Sequence, residues 1–425
     1  MRESLPKSQS RNKSAAYGDP NTQSSVRFRE RRSVTPMEKE FLRSDPTEDA
    51  RWMQVALALA EKGRGFVEPN PMVGCVLVRD GVQIGSGFHE KYGCPHAEVN
   101  ALAGLSAADV RSATLYVTLE PCNHFGKTPP CVDAILRNPP HRIVVAMEDP
   151  FPEVAGKGIS RLRESGIPVD LGILETESRW LNAPYLKLIR EKKPWVIAKW
   201  AMTLDGALAT EKGDSQWISN EASRALVHRM RSGCDAILIG SETALLDDPL
   251  LTTRLPSPEV PPRRAHRVVL DRRLRIAADS RLVTTAREWP LIVITNPPDT
   301  ADRASENTRA TQQRRLLDLG VCVWTIPAEV SEAPLPWILE EMGRLRWTNI
   351  LVEGGGRLLG SFWDARLVDQ FDCFISPRVL GSGSSRRPIS GKGHEWMNQA
   401  CRADRIQWES LDGDLHCRGF IGPWI

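Results

Sequence analysis

Pro95-His96-Ala97-Glu98, the run Ala113-Thr114-Leu115-Tyr116-Val117-Thr118-Leu119, Glu120-Pro121-Cys122 and Thr128-Pro129-Pro130-Cys131 decide how this chain reads. Pro95 precedes a helix start, the apolar and β-branched run is a buried strand, and Pro129-Pro130 opens a second helix at Cys131. On this helix–strand–helix frame stand one imidazole and two thiols, a ligand set that Zn²⁺ accepts with a fourth tetrahedral position left for water. One zinc per chain is expected, held by His96, Cys122 and Cys131. Glu98, beside His96 at the helix start, is the expected general base and acid, taking a proton from the water and returning it to a leaving amine. Helix N-termini and an adjacent metal both favour the thiolate form of the two cysteines. Cys94, His89 and His124 are rival ligands nearby, the two histidines fitting substrate contact better.

Outward from this stretch, helices alternate with strands, which implies a three-layer α/β unit with a mixed or mostly parallel sheet. Upstream, Asp45-Pro46-Thr47-Glu48 has the residues of a helix cap, and Trp52, Val55, Ala56 and Leu59 form a helical stripe that Gly63 closes as a left-handed residue. Gly74–Val78, the turn pair Asp80-Gly81 and Val82–Gly85 read as a β-hairpin. Downstream follow a strand at 142–146, a helix near 158–165 and a short strand around Val169. The first domain is expected over 45–188, and Glu191-Lys192-Lys193-Pro194 reads as a charged hinge.

Trp195-Val196-Ile197-Ala198-Lys199-Trp200 starts a second α/β domain, expected over 192–425. Ser219 or Asn220 caps a helix through Arg231. Strands follow at 236–239, 266–270, 291–295 and 321–325, with a Pro- and Arg-rich loop at 256–264. A helix at 335–345, a strand at 349–352, a triple-glycine turn at 354–356, another helix and a last strand region from Phe371 complete the pattern. The turn puts bare backbone N–H groups at a strand end and helix start, where a cofactor phosphate can sit.

With 425 residues, 41% of them hydrophobic and 26% charged, the chain has the composition of a globular enzyme of two or three domains. No apolar run is long enough for a membrane helix. The formal charge of +3 gives no electrostatic case for nucleic acid or a membrane surface. Nine cysteines scattered without a signal peptide argue for reduced thiols in a cytosol-like compartment. Residues 1–44, rich in Ser, Arg, Lys, Asn and Gln, read as a disordered tail. Organellar targeting by this tail stays open, although Glu3, Asp19 and Glu30 oppose it, and a start at Met37 fits equally.

The motifs Asn70-Pro71-Met72-Val73-Gly74, His96-Ala97-Glu98-Val99-Asn100-Ala101-Leu102 and Glu120–Cys131 with its Asn123-His124-Phe125-Gly126-Lys127 loop resemble the bifunctional riboflavin-biosynthesis deaminase/reductase family. The eight residues between the cysteines set the chain apart from cytidine and tRNA deaminases, which usually have two. Phe125 stands where many members have a second His. In the second half, Lys199–Gly206, Gly213–Ser219, Thr243–Pro249 and Val352–Leu358 resemble the family's reductase. The resemblance implies a cytidine-deaminase-like three-layer α/β/α domain followed by a dihydrofolate-reductase-like α/β domain. It implies zinc-dependent deamination of 2,5-diamino-6-ribosylamino-4(3H)-pyrimidinone 5′-phosphate, then NADPH-dependent reduction of the ribosyl group to ribityl. It matches Ala201, Trp217, Thr243, Asp247, Gly355, Gly356, Arg357, Leu358, Leu359, Gly360 and Ser361 to cofactor contacts. Ser215, Arg231, Leu251, Arg254 and Glu353 match substrate contacts, with Arg231 and Arg254 suited to the phosphate. Asp205 is either a proton-handling or orienting group or simply part of an Asp-Gly turn. The expected partner is a small phosphorylated pyrimidine, with no nucleic acid or membrane; a cytoplasmic homo-oligomer is expected. The rival readings are a deaminase with a non-catalytic second domain and a zinc deaminase that acts on nucleic acid.

Overall fold

The computed structural model describes residues 48–255, 263–298, 303–381 and 386–422. The tail at 1–44, the cap at Asp45-Pro46-Thr47 and the loop at 256–262 lie outside the described residues. The chain begins with helix α1 (Glu48–Glu61). Its buried side is Trp52, Met53, Ala56, Leu57 and Ala60, so the apolar face is rotated from the expected stripe and leaves Val55 and Leu59 half-buried at its edge. Gly63 is not left-handed; it is glycine because a Cβ there would sit 2.7 Å from the His89 carbonyl oxygen.

Strands β1 (Gly74–Arg79) and β2 (Val82–Phe88) form the hairpin. Asp80 and Gly81 both take positive φ, 50° and 72°, as a type I′ turn requires. Helices α2 (Ala97–Leu102) and α3 (Ala107–Arg111), strand β3 (Thr114–Val117), helix α4 (Cys131–Arg137), strand β4 (Arg142–Val145), helix α5 (Lys157–Glu164) and strand β5 (Val169–Leu171) follow. The sheet order is β2-β1-β3-β4-β5, antiparallel through the hairpin and β1/β3, parallel from β3 to β5. Alternate residues of each strand face opposite layers, as the strand period dictates. Val76, Tyr116 and Val144 pack on α1, while Leu77, Leu115, Ile143 and Val145 pack with Ala97, Ala101, Val132 and Ile135. This is a mixed sheet in a three-layer α/β/α sandwich.

Helices α6 (Glu175–Leu181) and α7 (Ala183–Glu191) lead out of this half. α7 runs past residue 188 and closes at Lys192, which is left-handed at φ 59°. Then come β6 (Trp195–Thr203), α8 (Glu221–Gly233), β7 (Ala236–Gly240), α9 (Ser241–Asp247), β8 (His266–Leu270), α10 (Arg281–Thr284), β9 (Leu291–Thr295), α11 (Arg303–Asp318) and β10 (Cys322–Thr325). The chain ends through α12 (Leu335–Arg344), β11 (Asn349–Glu353), α13 (Gly356–Asp364), β12 (Gln370–Ser376), β13 (Arg405–Leu411) and β14 (Asp414–Phe420). The nine strands are ordered β10-β9-β8-β7-β11-β6-β12-β14-β13, all pairs parallel except those made by β14. Apolar layers cover both faces: Ile338, Leu339, Met342 and Phe362 on one, Leu282, Val283 and Leu316 on the other. Asn220 is the α8 cap, its side chain accepting from the Ser223 N–H at 2.9 Å. Both sheets belong to one compact unit, Pro46–Ile425.

Candidate active site

His96 is the N-cap of α2 but lends it only backbone, so its imidazole is free to point elsewhere. Its Nδ1 lies 3.2 Å from Cys131 Sγ and 3.5 Å from Cys122 Sγ, and the three donor atoms lie within 4.8 Å of one another. Tetrahedral ligands with bonds of ~2.0–2.3 Å stand roughly 3.3–3.8 Å apart, and both His96–cysteine distances are close to that spacing, so the trio suits a zinc ion. Nε2, the other ring nitrogen, is 3.4 Å from the Thr128 hydroxyl, which can fix the ring orientation. The Cys131 N–H, at the start of α4, donates to Cys122 Sγ at 3.3 Å. The thiol–thiol hydrogen bond with Cys131 holds the Cys122 thiol below its ordinary value against the effect of burial, with His96 adding to it. Cys94 lies outside the trio.

Glu98 is 3% exposed on the inner side of α2, and burial pushes its carboxyl up to about 7. A carboxyl so placed can both take and give a proton near neutral pH. It faces a cavity of about 420 Å³, within the usual range for small-molecule sites. His89 and His124 line the same cavity, and His89 Nε2 and His124 Nδ1 are buried without a hydrogen-bond partner among the described residues.

The floor is held by a second carboxylate. Glu120 accepts from the N–H groups of Asp149, Gly156, Gly158 and Ile159, at 2.9–3.2 Å, and so ties the 149–159 segment to the end of β3. Asp149, buried, accepts from the Tyr185 hydroxyl at 2.8 Å and the Phe151 N–H at 3.0 Å; burial pushes its carboxyl up to about 6.

In the second half, the expected residues gather at the carboxyl ends of β6, β7 and β11, where open parallel sheets place ligands. Gly354 is left-handed at φ 116° and a Cβ there would lie 2.8 Å from Thr243 Oγ1; the Gly355 N–H donates to that oxygen at 3.2 Å. Gly355 itself is exposed, with only Thr243 Oγ1 near its missing Cβ, at 3.8 Å. This cradle at the α13 N-terminus fits a cofactor phosphate. Arg357 and Ser361 are exposed, whereas Leu358, Leu359 and Gly360 are buried. Arg231 forks onto Glu353, Nε to Oε1 at 2.7 Å and Nη2 to Oε2 at 2.8 Å, so two of its donors are engaged with the protein. Leu251 is 6% exposed and packs in the core. Arg254 is exposed, its backbone N–H on His228 Nδ1 at 3.3 Å. Trp217 is 59% exposed under the Arg224 guanidinium. Ala201 and Ser215 are half-buried and Asp247 exposed. Asp205 accepts from the Thr203 hydroxyl and from the Leu380 and Gly381 N–H groups, which hold its carboxyl down to about 2. It anchors the loop at 380–381.

Residues 46–147 match the family model for the cytidine and deoxycytidylate deaminase zinc-binding region, and residues 194–416 match the RibD C-terminal domain. The chain is 40% identical to the riboflavin biosynthesis protein RibD of Aquifex aeolicus over 86% of its own length and 97% of that protein's. The chain belongs to the RibD family. RibD of Escherichia coli is 37% identical over 79% of this chain and 89% of its own. The solved structure of Acinetobacter baumannii RibD superposes with a TM-score of 0.76 at 34% identity, covering 88% of this chain and 99% of that one. As a RibD protein, the chain is a bifunctional riboflavin-biosynthesis enzyme: a zinc-site deaminase half of cytidine-deaminase-like fold and a reductase half of dihydrofolate-reductase-like fold.

Sequence reasoning missed Asp149, Tyr185 and the roles of Glu120 and Lys199. Lys199, in β6, lies half-buried 4.0 Å from Glu353 and completes a Lys–Glu–Arg group with Arg231. The Asp149-Pro150 pair just past β4 was a usable signal, being an acid at a strand end. Tyr185 had none, since it comes from a helix with no motif.

Proposed function

We propose that the first half hydrolytically deaminates 2,5-diamino-6-ribosylamino-4(3H)-pyrimidinone 5′-phosphate and that the second half reduces the ribosyl chain of the product to ribityl with NADPH. The observation that carries the reading is the buried Glu98 carboxyl beside the His96–Cys122–Cys131 trio in one cavity. When bound, zinc lowers the pKa of a coordinated water toward ~7. Glu98 accepts a proton from the attacking water at a carboxylate oxygen and returns it to the amino group, which leaves as ammonia. Thr128 keeps the His96 ring in place, and Glu120 holds the 149–159 wall against the pyrimidine.

In the reductase, the Gly354–Arg357 turn and Thr243 cradle the cofactor phosphate, and Ala201 and Trp217 border its path. NADPH supplies the hydride. Ser215, Glu353 and Arg254 meet the substrate; Arg231 acts by holding Glu353, and Arg254 is left as the cation for the phosphate. The working domain boundaries are a deaminase over 45–188, extended by α7 to Glu191, and a reductase over 192–425. A cytoplasmic homo-oligomer is part of this proposal. Among the described residues no helix is long and apolar enough to cross a membrane. A coupled assay tests the reading: the diaminopyrimidinone phosphate must release ammonia and then consume NADPH. Release of ammonia without NADPH oxidation refutes the second half of the proposal.

A further inference from the structure

The cavity around Glu98 is not built from the first half alone. Arg346, from the turn after α12 in the second half, lines it together with Tyr185 and Ile189 of α7. From the turn after α12 to the cavity, each contact is tight. A Cβ at Gly343 would stand 1.8 Å from the Lys192 carbonyl oxygen, so only glycine lets α12 press on the end of α7. The turn that follows is a Schellman closure, with the Arg346 N–H on Gly343 O at 2.8 Å and the Trp347 N–H on Met342 O at 3.2 Å. Its left-handed position, normally a glycine's, is filled by Arg346 at φ 60°. Strain alone decides nothing, because Arg366 closes α13 in the same way at φ 54°. What separates Arg346 is the place of its side chain.

Lys127 and Arg346 are the Lys and Arg residues among the described lining. The Lys127 ammonium sits 3.9 Å over the Tyr92 ring. The Arg346 guanidinium is exposed and has no hydrogen bond or ion pair with a described residue, although its charge is felt at the Tyr185 hydroxyl. Carboxylates line the same cavity: Glu98 at the metal trio, Asp149 under the Tyr185 hydroxyl, and Glu120 and Glu153. For a ligand whose ring sits at Glu98 and the metal trio, an anionic tail has the exposed Arg346 guanidinium as an unpaired cation on the same lining.

We infer that Arg346 binds the phosphate of the deaminase substrate, so that the reductase half supplies a specificity residue to the deaminase site. A guanidinium fork matches two phosphate oxygens at once. The inference rests on the phosphorylated substrate proposed above.

The test is Arg346→Gly, which removes the guanidinium while giving the left-handed turn the residue it prefers, so the variant folds with a melting temperature no lower than the parent's. Loss of a charge-assisted contact should raise KM for deamination of the phosphorylated substrate by about 10–100-fold. With the dephosphorylated ribosylamino substrate the variant and the parent should be alike, and NADPH oxidation with the deaminated phosphate should be unchanged. Arg346→Lys should recover part of the loss. Calorimetric binding of the phosphorylated substrate in a Glu98→Gln background should show the same ratio in Kd. An equal rise with both substrates, or no rise, overturns the inference. If the parent deaminates neither substrate, the proposed reaction itself fails and the inference falls with it.

Discussion

Lys187 Nζ in α7 lies 2.5 Å from Asp369 Oδ2, both side chains nearly sealed from solvent, and the same carboxylate oxygen accepts the Val196 N–H at 2.6 Å. One buried pair therefore joins the helix that lines the deaminase cavity to the first strand of the reductase sheet. Lys187→Met strands the carboxylate and is expected to cost ~3–5 kcal/mol. Lys187→Met/Asp369→Leu recovers only part, because the Val196 N–H then loses its acceptor. Urea denaturation of the three proteins checks this; a double variant as stable as the parent would contradict the role given to the Val196 bond.

Glu98→Gln keeps the shape of the side chain and removes its basicity. The purified variant should hold the same zinc as the parent, about one ion per chain, because His96, Cys122 and Cys131 are untouched. Its deamination rate should fall by at least ~10²-fold, the usual contribution of a positioned acid–base group. Metal analysis beside an ammonia-release assay checks both. Full deamination in zinc-replete variant would remove Glu98 from its role.

The zinc trio was legible because its chemistry is local: His96, Cys122 and Cys131 stand at helix starts and a strand end, which the flanking prolines mark. The Asp80-Gly81 hairpin was legible for the same reason. Arg346, Tyr185 and Asp149 enter the cavity from segments far apart in sequence, and no spacing announces that the fold will bring them together. The fork that Arg231 of α8 makes on Glu353, at the end of β11, joins residues 122 positions apart, and no spacing announces it. The α1 stripe was set one step off because Val55 and Leu59 are as apolar as Met53 and Leu57, and only the docking surface of β1 and β3 selects between them.

Glu353 shows how that fork governs pH dependence. Burial raises its pKa, but the Arg231 charge and hydrogen bonds, with Lys199, outweigh this and bring it from 4.5 to about 2. A depressed folded pKa stabilises the fold above the unfolded value and the benefit is lost as pH falls from 4.5 to about 2. The loss should be roughly 3 kcal/mol over that window. Arg231→Met leaves the buried carboxylate without its fork, so the variant should be less stable at pH 7 and its stability should change less between pH 4.5 and 2. Urea midpoints measured across that range check the slope.

Gly355 and Gly360 separate cofactor binding from packing within one helix turn region. A Cβ at Gly355 meets only Thr243 Oγ1, at 3.8 Å, and the position is exposed, so Gly355→Trp should fold normally yet fill the cradle. A Cβ at Gly360 would lie 2.5 Å from Gly391 N, backbone that cannot swing aside, so Gly360→Ala should push α13 off the 390–391 segment. The first variant should lose NADPH oxidation and NADPH binding by fluorescence titration while its melting temperature and deamination stay those of the parent. The second should lower the melting temperature by an amount matching ~1–3 kcal/mol, the usual cost of overpacking. Deamination and NADPH binding falling together in Gly355→Trp, without a change in melting temperature, would show that the glycine turn does not serve the reductase site alone.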